Sequence, residues 1–227
     1  ITRGSASGFL ITRADGSESF VILEGVRALY HPQFHPTDPE QLIYSADLPD
    51  PRMWAVRRDG REDHCIYRNP AGMWLVHETF LGKTDTLLVS QWHHGLCTVG
   101  LQEGRLETLA RFSAWHVRSS HDGSRIVCDT HLPDMGLRLV APRSGEHKLL
   151  CCPGASNQGY QWREPLPLPA DGDTPGWKTM VESATGETAY GPQWTHPHPS
   201  FSPDGKMVAY TSDAGGCPQC YIVEVPQ

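Results

Sequence analysis

Short apolar runs recur along the chain, separated by turns rich in Gly, Pro and Asp. GFLITRADGSESFVILEG reads as two strands joined through an Asp-Gly turn. QLIYSAD, MWAVRRDG, DTLLVS, GLCTVG, SRIVCDTH, LRLVAP, MVAYTSD and CYIVEV are further strands by their β-branched and aromatic content. Scarcely any stretch keeps a helical period for three turns. The pattern predicts an all-β chain with many tight turns.

The strands also recur in order. HPQFHPTDPEQLIYSAD, MWAVRRDG and HCIYR make one unit; HETFLGKTDTLLVS, GLCTVG and LETLA a second; HVRSSHDGSRIVCDTH, LRLVAP and HKLLCC a third. HPSFSPDGKMVAYTSD and CYIVEV begin a fourth, which stops before its last strand. Units of about forty residues with four short strands are blades of a β-propeller. The chain opens on the last two strands of a blade, so the expectation is about four and a half blades of a seven-bladed parent. That parent needs roughly 100 further residues upstream. A self-contained ring of four or five blades is the alternative. A Pro/Gly-rich stretch at about 157–191, carrying Trp162 and Trp177, reads as an insertion in a single partial propeller domain, with a degenerate extra blade as the other reading.

Aligning the units superimposes the turns PTD (36–38), HDG (121–123) and PDG (203–205). His31, His116 and His198 then fall at one position, and the match of HETF to HPQF and HPSF adds His77. The first strand of each propeller blade lines the central channel, so these four histidines are expected to converge. A lone histidine in such a turn is ordinarily a backbone cap or a channel filler. Four at one position bury several imidazoles together, which costs desolvation unless they are hydrogen-bonded or ligate a metal. His196 and His198 stand two apart on an expected strand and so face the same way. With Gln193 just before them and His116 from another blade, they form a nitrogen and oxygen set suited to Mn²⁺ or a similar divalent ion.

Composition narrows the partners. Nineteen basic and twenty-six acidic residues give a net charge of −7 without a basic block, which argues against nucleic acid. No apolar run approaches the ~20 residues of a membrane helix. Of seven cysteines, Cys217 and Cys220 form a lone CxxC without the second pair that structural zinc usually takes. Reduced thiols fit a cytoplasmic setting, which is the expected location.

In order along the chain, HPQF (31–34), RMW (52–54), HETF (77–80), WH (115–116) and QWTHPHPSFSPDG (193–205) resemble characteristic stretches of the oligogalacturonate lyases, seven-bladed propeller enzymes of pectin catabolism. The resemblance covers nearly all 227 residues and corresponds to the C-terminal two-thirds of the family. SPDG alone occurs in many propellers; Q-x-x-H-x-H joined to it is far rarer. The resemblance implies manganese ligands at His116, Gln193, His196 and His198, a substrate-site arginine at Arg52 and a catalytic histidine at His77. It further implies cytoplasmic action on short galacturonides, a small anionic oligosaccharide. HDG in place of PDG at 121–123, and the stretch before Gln193, depart from the family pattern and leave the preferred uronide open.

These residues suit β-elimination from an O4-linked uronate. A cation on the carboxylate offsets charge growing as the C5 proton leaves. An arginine gives a bidentate contact to a carboxylate, and a neutral histidine is a sensible base. His31, Gln33, Arg118 and Trp194 are further candidates for substrate contact, Gln33 and Arg118 by strand alternation. Trp92, Trp162 and Trp177 join Trp194 as candidate sugar platforms. Trp54, Trp74 and Trp115 read as packing residues, Asp129 and His131 as loop hydrogen bonders or ligand supports, and Arg57 and Arg58 as solvated. Two other functions stay open: a non-catalytic propeller module binding protein or carbohydrate, and a metal-containing hydrolase. The second needs a carboxylate pair, of which the first strands supply only Glu78.

Overall fold

Each apolar run becomes a strand, and successive strands pair antiparallel. The computed structural model describes residues 7–46, 51–92, 94–131, 133–156 and 195–226. The strands β1 (Phe9–Thr12) and β2 (Ser19–Ile22) form a two-stranded sheet. Three four-stranded sheets follow: β3 (Tyr30–Phe34), β4 (Gln41–Ser45), β5 (Met53–Arg57) and β6 (His64–Tyr67); β7 (Leu75–Phe80), β8 (Thr86–Gln91), β9 (Gly95–Gly100) and β10 (Leu106–Ala110); β11 (Ala114–Ser119), β12 (Ile126–Thr130), β13 (Leu137–Val140) and β14 (His147–Cys151). A three-stranded sheet of β15 (Ser200–Phe201), β16 (Met207–Ser212) and β17 (Gln219–Glu224) completes the described set. The first strands β3, β7, β11 and β15 neighbour one another in turn. This is an all-β, propeller-type arrangement of blades packed face to face. No helix among the described residues is long and apolar enough to cross a membrane.

The core lies between sheets, which explains why the second strands are continuously apolar rather than alternating. On β8, Leu87 and Val89 join a cluster with Ile43, Met53 and Ala55 of the preceding blade, while Leu88 joins Val117, Ile126 and Cys128 of the next. On β12, Ile126 and Cys128 face backward and Val127 faces forward to Leu139, Val208 and Val225. A strand buried on both faces has no polar side to show. Each such leucine or valine contributes about 1.5–3 kcal/mol by leaving water. The sheets β11–β14 and β15–β17 pack directly on each other through this last cluster. The expected insertion at about 157–191 lies outside the described residues.

Tight turns bring the blades close. A Cβ on Gly82 would stand 2.6 Å from the backbone of Gly123, and Gly82 has φ +57°, so both space and conformation require glycine there. Three expectations about side chains are corrected. Trp92 was a candidate sugar platform but packs edge-on against Trp74 (5.8 Å between ring centroids) and Trp115 (4.4 Å). Arg57 and Arg58 are not simply solvated: they pair with Asp38 (2.8 Å) and Glu40 (3.0 Å) across the β4–β5 hairpin. His196 and His198 do not sit on a regular strand, because β15 starts only at Ser200.

Candidate metal centre and substrate cleft

The histidine position shared by the blades coincides with a repeated break in the first strand. Pairing with the second strand slips between Tyr30 and Gln33 on β3, between Val76 and Thr79 on β7, and between Ala114 and Val117 on β11. His31, His77 and His116 lie inside these bulges. His31 (φ +49°), His77 (φ +60°) and, before β15, His198 (φ +44°) adopt the left-handed conformation. That conformation costs a non-glycine residue roughly 1–2 kcal/mol. Bulges re-aim side chains, and here they turn the rings toward one cleft.

The rings do converge. His116 lies 3.4 Å from His198 and 5.2 Å from His196 between centroids, and one nitrogen from each of the three falls within 4.8 Å of the others. His116 and His198 come from β11 and from the segment leading into β15, on neighbouring blades. His196 and His198 converge, with centroids 6.0 Å apart, through an irregular segment tied to β16 by the Thr211 N–H to Pro197 carbonyl bond of 2.8 Å.

Asp129, at the end of β12 and 1% exposed, braces this group. Its Oδ1 accepts from the His116 backbone N–H at 2.6 Å; its Oδ2 accepts from His116 Nδ1 at 2.9 Å and from the His198 backbone N–H at 3.1 Å. Burial pushes the Asp129 carboxyl up to about 6, opposed by those two backbone N–H groups, so it is ionised at pH 7. Burial holds His116 well below the ordinary imidazole range, with the neighbouring His198 and His196 adding to the effect. Burial lowers His196 to about 4, and lowers His198 as well. Three neutral imidazoles therefore face one point. The carboxylate at His116 Nδ1 places the proton there and leaves Nε2 with a lone pair, the carboxylate–histidine arrangement found behind metal ligands. Both observations fit a divalent ion.

His77 adjoins the group without entering it. Its ring lies 4.2 Å from His116, 4.6 Å from Trp115 and 6.2 Å from His31. Its Nε2 is buried and finds no hydrogen-bond partner among the described residues. Burial, then the nearby His116 and Arg52, keep it neutral well below the usual imidazole range.

Arg52 approaches from the second blade sheet. Its Nε donates to Glu78 Oε1 at 2.6 Å, and its Nη2 lies 3.4 Å from Glu78 Oε2 and 3.4 Å from His31 Nδ1. Ser45 Oγ holds Glu78 Oε2 at 2.8 Å. The cleft itself, about 430 Å³, is lined by His31, Gln33, His77, His116, Arg118 and His198 among others. The structure thus assembles His31, Gln33, His77, His116, Arg118, His196 and His198, with Arg52 behind His31 and Glu78. Gln193, Trp194, Trp162 and Trp177 lie outside the described residues. Thr79 was not singled out from the sequence, yet it links Arg118 to Gln33; its place in HETF beside His77 and Glu78 is the signal that could have found it. Glu78, the carboxylate a hydrolase would need, is engaged by Arg52 and Ser45.

Blades packed around a first-strand histidine cluster define a propeller-type protein with a candidate metal centre in its cleft. The comparisons agree. The chain is 25% identical over 221 residues to the oligogalacturonide lyase of Pectobacterium atrosepticum and 26% identical over 221 residues to the oligogalacturonate lyase of Dickeya dadantii, in each case 92% of this chain and 53% of the relative. The solved structure of an oligogalacturonate lyase in complex with manganese superposes with a TM-score of 0.71 at 22% identity, covering 98% of this chain and 55% of that one. The chain is thus similar in sequence to oligogalacturonate lyases along 92% of its length, in line with its motifs. It spans about half the length of the curated relatives it matches. No protein-family model matches it.

Proposed function

We propose that this chain carries the active centre of a metal-dependent lyase that cleaves short oligogalacturonides by β-elimination. The observation that supports it most is the meeting of His116, His196 and His198 from neighbouring blades beside His77. His116, His196 and His198, with Gln193, hold a divalent ion such as Mn²⁺, which supplies positive charge to the uronate carboxylate.

The protein's own residues do the rest. The His77 ring, kept neutral by burial, takes the C5 proton. The C5–H electron pair forms the C4–C5 double bond, and the C4–O4 bond breaks with its pair leaving on O4. O4 takes a proton from solvent while His77 returns its own to solvent, so the net movement is one proton from C5 to O4. Arg52, paired with Glu78 behind the cleft wall, braces Glu78 through its Nε and the His31 ring through its Nη2. No water enters this reaction, and with Glu78 engaged by Arg52 and Ser45 the described residues lining the cleft offer no carboxylate pair to activate one.

Ultraviolet absorbance during incubation with digalacturonate and Mn²⁺ tests the reading. A rise marks the unsaturated uronide; sugar release without the rise would mean hydrolysis, and the lyase assignment would fail.

A further inference from the structure

The two arginines of the cleft differ in their charge balance. Arg52 is neutralised: its Nε lies 2.6 Å from the Glu78 carboxylate, and both side chains are nearly buried, 11% and 4% exposed. Arg118 is exposed in the cleft, and among the described residues it makes no ion pair. It is also not a free surface arginine. Its Nη1 donates to Thr79 Oγ1 at 2.8 Å, Thr79 Oγ1 donates to Gln33 Oε1 at 3.1 Å, and Gln33 Nε2 donates to the Glu78 carbonyl at 2.5 Å. Thr79 is 6% exposed, so this relay is sheltered from water.

The relay has a fixed polarity. The amide of Gln33 must turn its nitrogen toward the carbonyl, which turns its oxygen toward Thr79. The hydroxyl then spends its single proton on Gln33 and can only accept from Arg118. Three blades thereby orient one guanidinium without cancelling its charge. The remaining titratable groups on the cleft wall are the neutral imidazoles of His77, His116 and His198, the exposed His31, and Glu78, already paired with Arg52. An oriented, uncompensated cation in such a setting is built for an anion.

Arg118 stands two residues beyond His116 on the same strand, roughly 6–7 Å along it. With the reacting carboxylate assigned to the histidine group, this separately oriented guanidinium is left for a carboxylate on an adjoining sugar. Resting on the uronide reading of the site, we propose that Arg118 anchors a second carboxylate, on the sugar next to the one that reacts. Thr79 and Gln33 are positioning residues for Arg118.

Calorimetric titration of the Mn²⁺-loaded His77→Ala protein, which binds but does not cleave, with saturated galacturonate and digalacturonate tests this. That protein is the wild-type background for the variants below. Arg118→Gln should weaken digalacturonate about ten- to hundred-fold, the loss of charge-assisted hydrogen bonds to one carboxylate. Galacturonate affinity, Mn²⁺ stoichiometry and melting temperature should stay at wild-type values. Thr79→Val, which keeps the charge but frees the guanidinium, should weaken digalacturonate several-fold, and Thr79→Ser should restore it. Undiminished digalacturonate binding by Arg118→Gln overturns the proposal while leaving the lyase reading intact. Equal weakening of both sugars also overturns it, because Arg118 would then hold the reacting carboxylate. A wild-type protein that binds neither sugar sinks the uronide reading first, and this proposal with it.

Discussion

Asp129→Asn should strip metal affinity from a protein that still folds. The carboxylate accepts three hydrogen bonds, and Oδ2 takes two of them, from His116 Nδ1 and the His198 backbone N–H. Asparagine keeps the shape and one acceptor, which can stay with the His116 backbone. Its NH₂ then stands where Oδ2 was, facing two donors. Two charge-assisted bonds are lost, worth roughly 1.5–3 kcal/mol each. Against this, neutralisation removes the cost of holding a buried charge. Burial raises the carboxyl from 3.8 to about 6, which at pH 7 corresponds to roughly 3 kcal/mol.

Because that roughly 3 kcal/mol is already net of the backbone bonds, the variant should fold within about 3 kcal/mol of the wild type, a melting temperature changed by less than about 12 °C. The effect on the metal is larger because the tautomer inverts. An NH₂ opposite His116 Nδ1 makes that nitrogen an acceptor and moves the proton to Nε2, the atom that faces the other imidazoles. Loss of such a supporting carboxylate ordinarily costs ten- to a hundred-fold in affinity; inversion places this case at the upper end. Isothermal titration of the metal-free proteins with Mn²⁺ reads it directly. Wild-type Mn²⁺ affinity in Asp129→Asn would refute the role of Asp129 as the group that sets the His116 lone pair.

Three further outcomes follow from the same geometry. His77→Ala should abolish turnover while keeping one Mn²⁺ per chain, and His196→Ala should lose both; metal analysis of the two purified variants decides, and metal loss from His77→Ala would make it a ligand instead of the base. His31→Gly should melt about 2–4 °C above His31→Ala, since glycine relieves roughly 1 kcal/mol of left-handed strain at φ +49°, and coincident melting curves would remove the strain argument. The metal-free protein should lose stability as pH falls from about 6.5 toward 4. His77, His116, His196 and His198 all have lowered folded values, so the unfolded chain takes up protons first and their contribution, full above about 6.5, drains away on acidification. Asp129, raised to about 6, works the other way: its contribution is full below 3.8 and lost as pH rises through 6, and it offsets roughly the 3 kcal/mol that His196, lowered to about 4, alone gives up. His77, His116 and His198 therefore set the sign, and urea midpoints that stay level or rise from pH 7 to 4.5 would contradict it.

The blades and their order were legible because a doubly buried second strand must be apolar throughout, and TLLVS and IVCDT announce that in sequence. The shared histidine position was legible for a related reason: the turns that follow it are spelled alike in three blades. What the sequence could not convey is how the rings are aimed. Strand alternation was the available argument for His196 and His198, yet the segment is irregular and His198 is left-handed. The convergence was right for a reason different from the one expected. Asp129 was equally hard to place. In VCDTH it looks like a strand-end hydrogen bonder, and only the packing of β12 beside β11 and the segment before β15 reveals that its partners are both candidate ligands. Glu78 illustrates a partner that sequence could not show. Chemistry of residue type made it the lone candidate for a hydrolytic carboxylate, whereas Arg52, twenty-six residues earlier in the chain, already occupies it.

The bulges connect this difficulty to function. A regular first strand would send alternate side chains into the two neighbouring blade interfaces, where leucine and valine are worth the most. Placing a histidine at the slip lets it leave that alternation without disturbing the pairing on either side: Thr79 and Phe80 are back in register with Leu88 and Leu87 once His77 and Glu78 are passed. The local cost is roughly 1–2 kcal/mol for each left-handed histidine. The second strand behind each bulge can sustain it, because Leu87, Leu88 and Val89 are all fully buried. Strain is thus confined to the residues that face the cleft, and the blade interfaces hold it there. A site made this way can change its chemistry by exchanging the residue at the slip while the scaffold stays the same. That accounts for one repeat position supplying a candidate metal ligand at His116 and His198, a candidate base at His77, and a partner for Arg52 at His31.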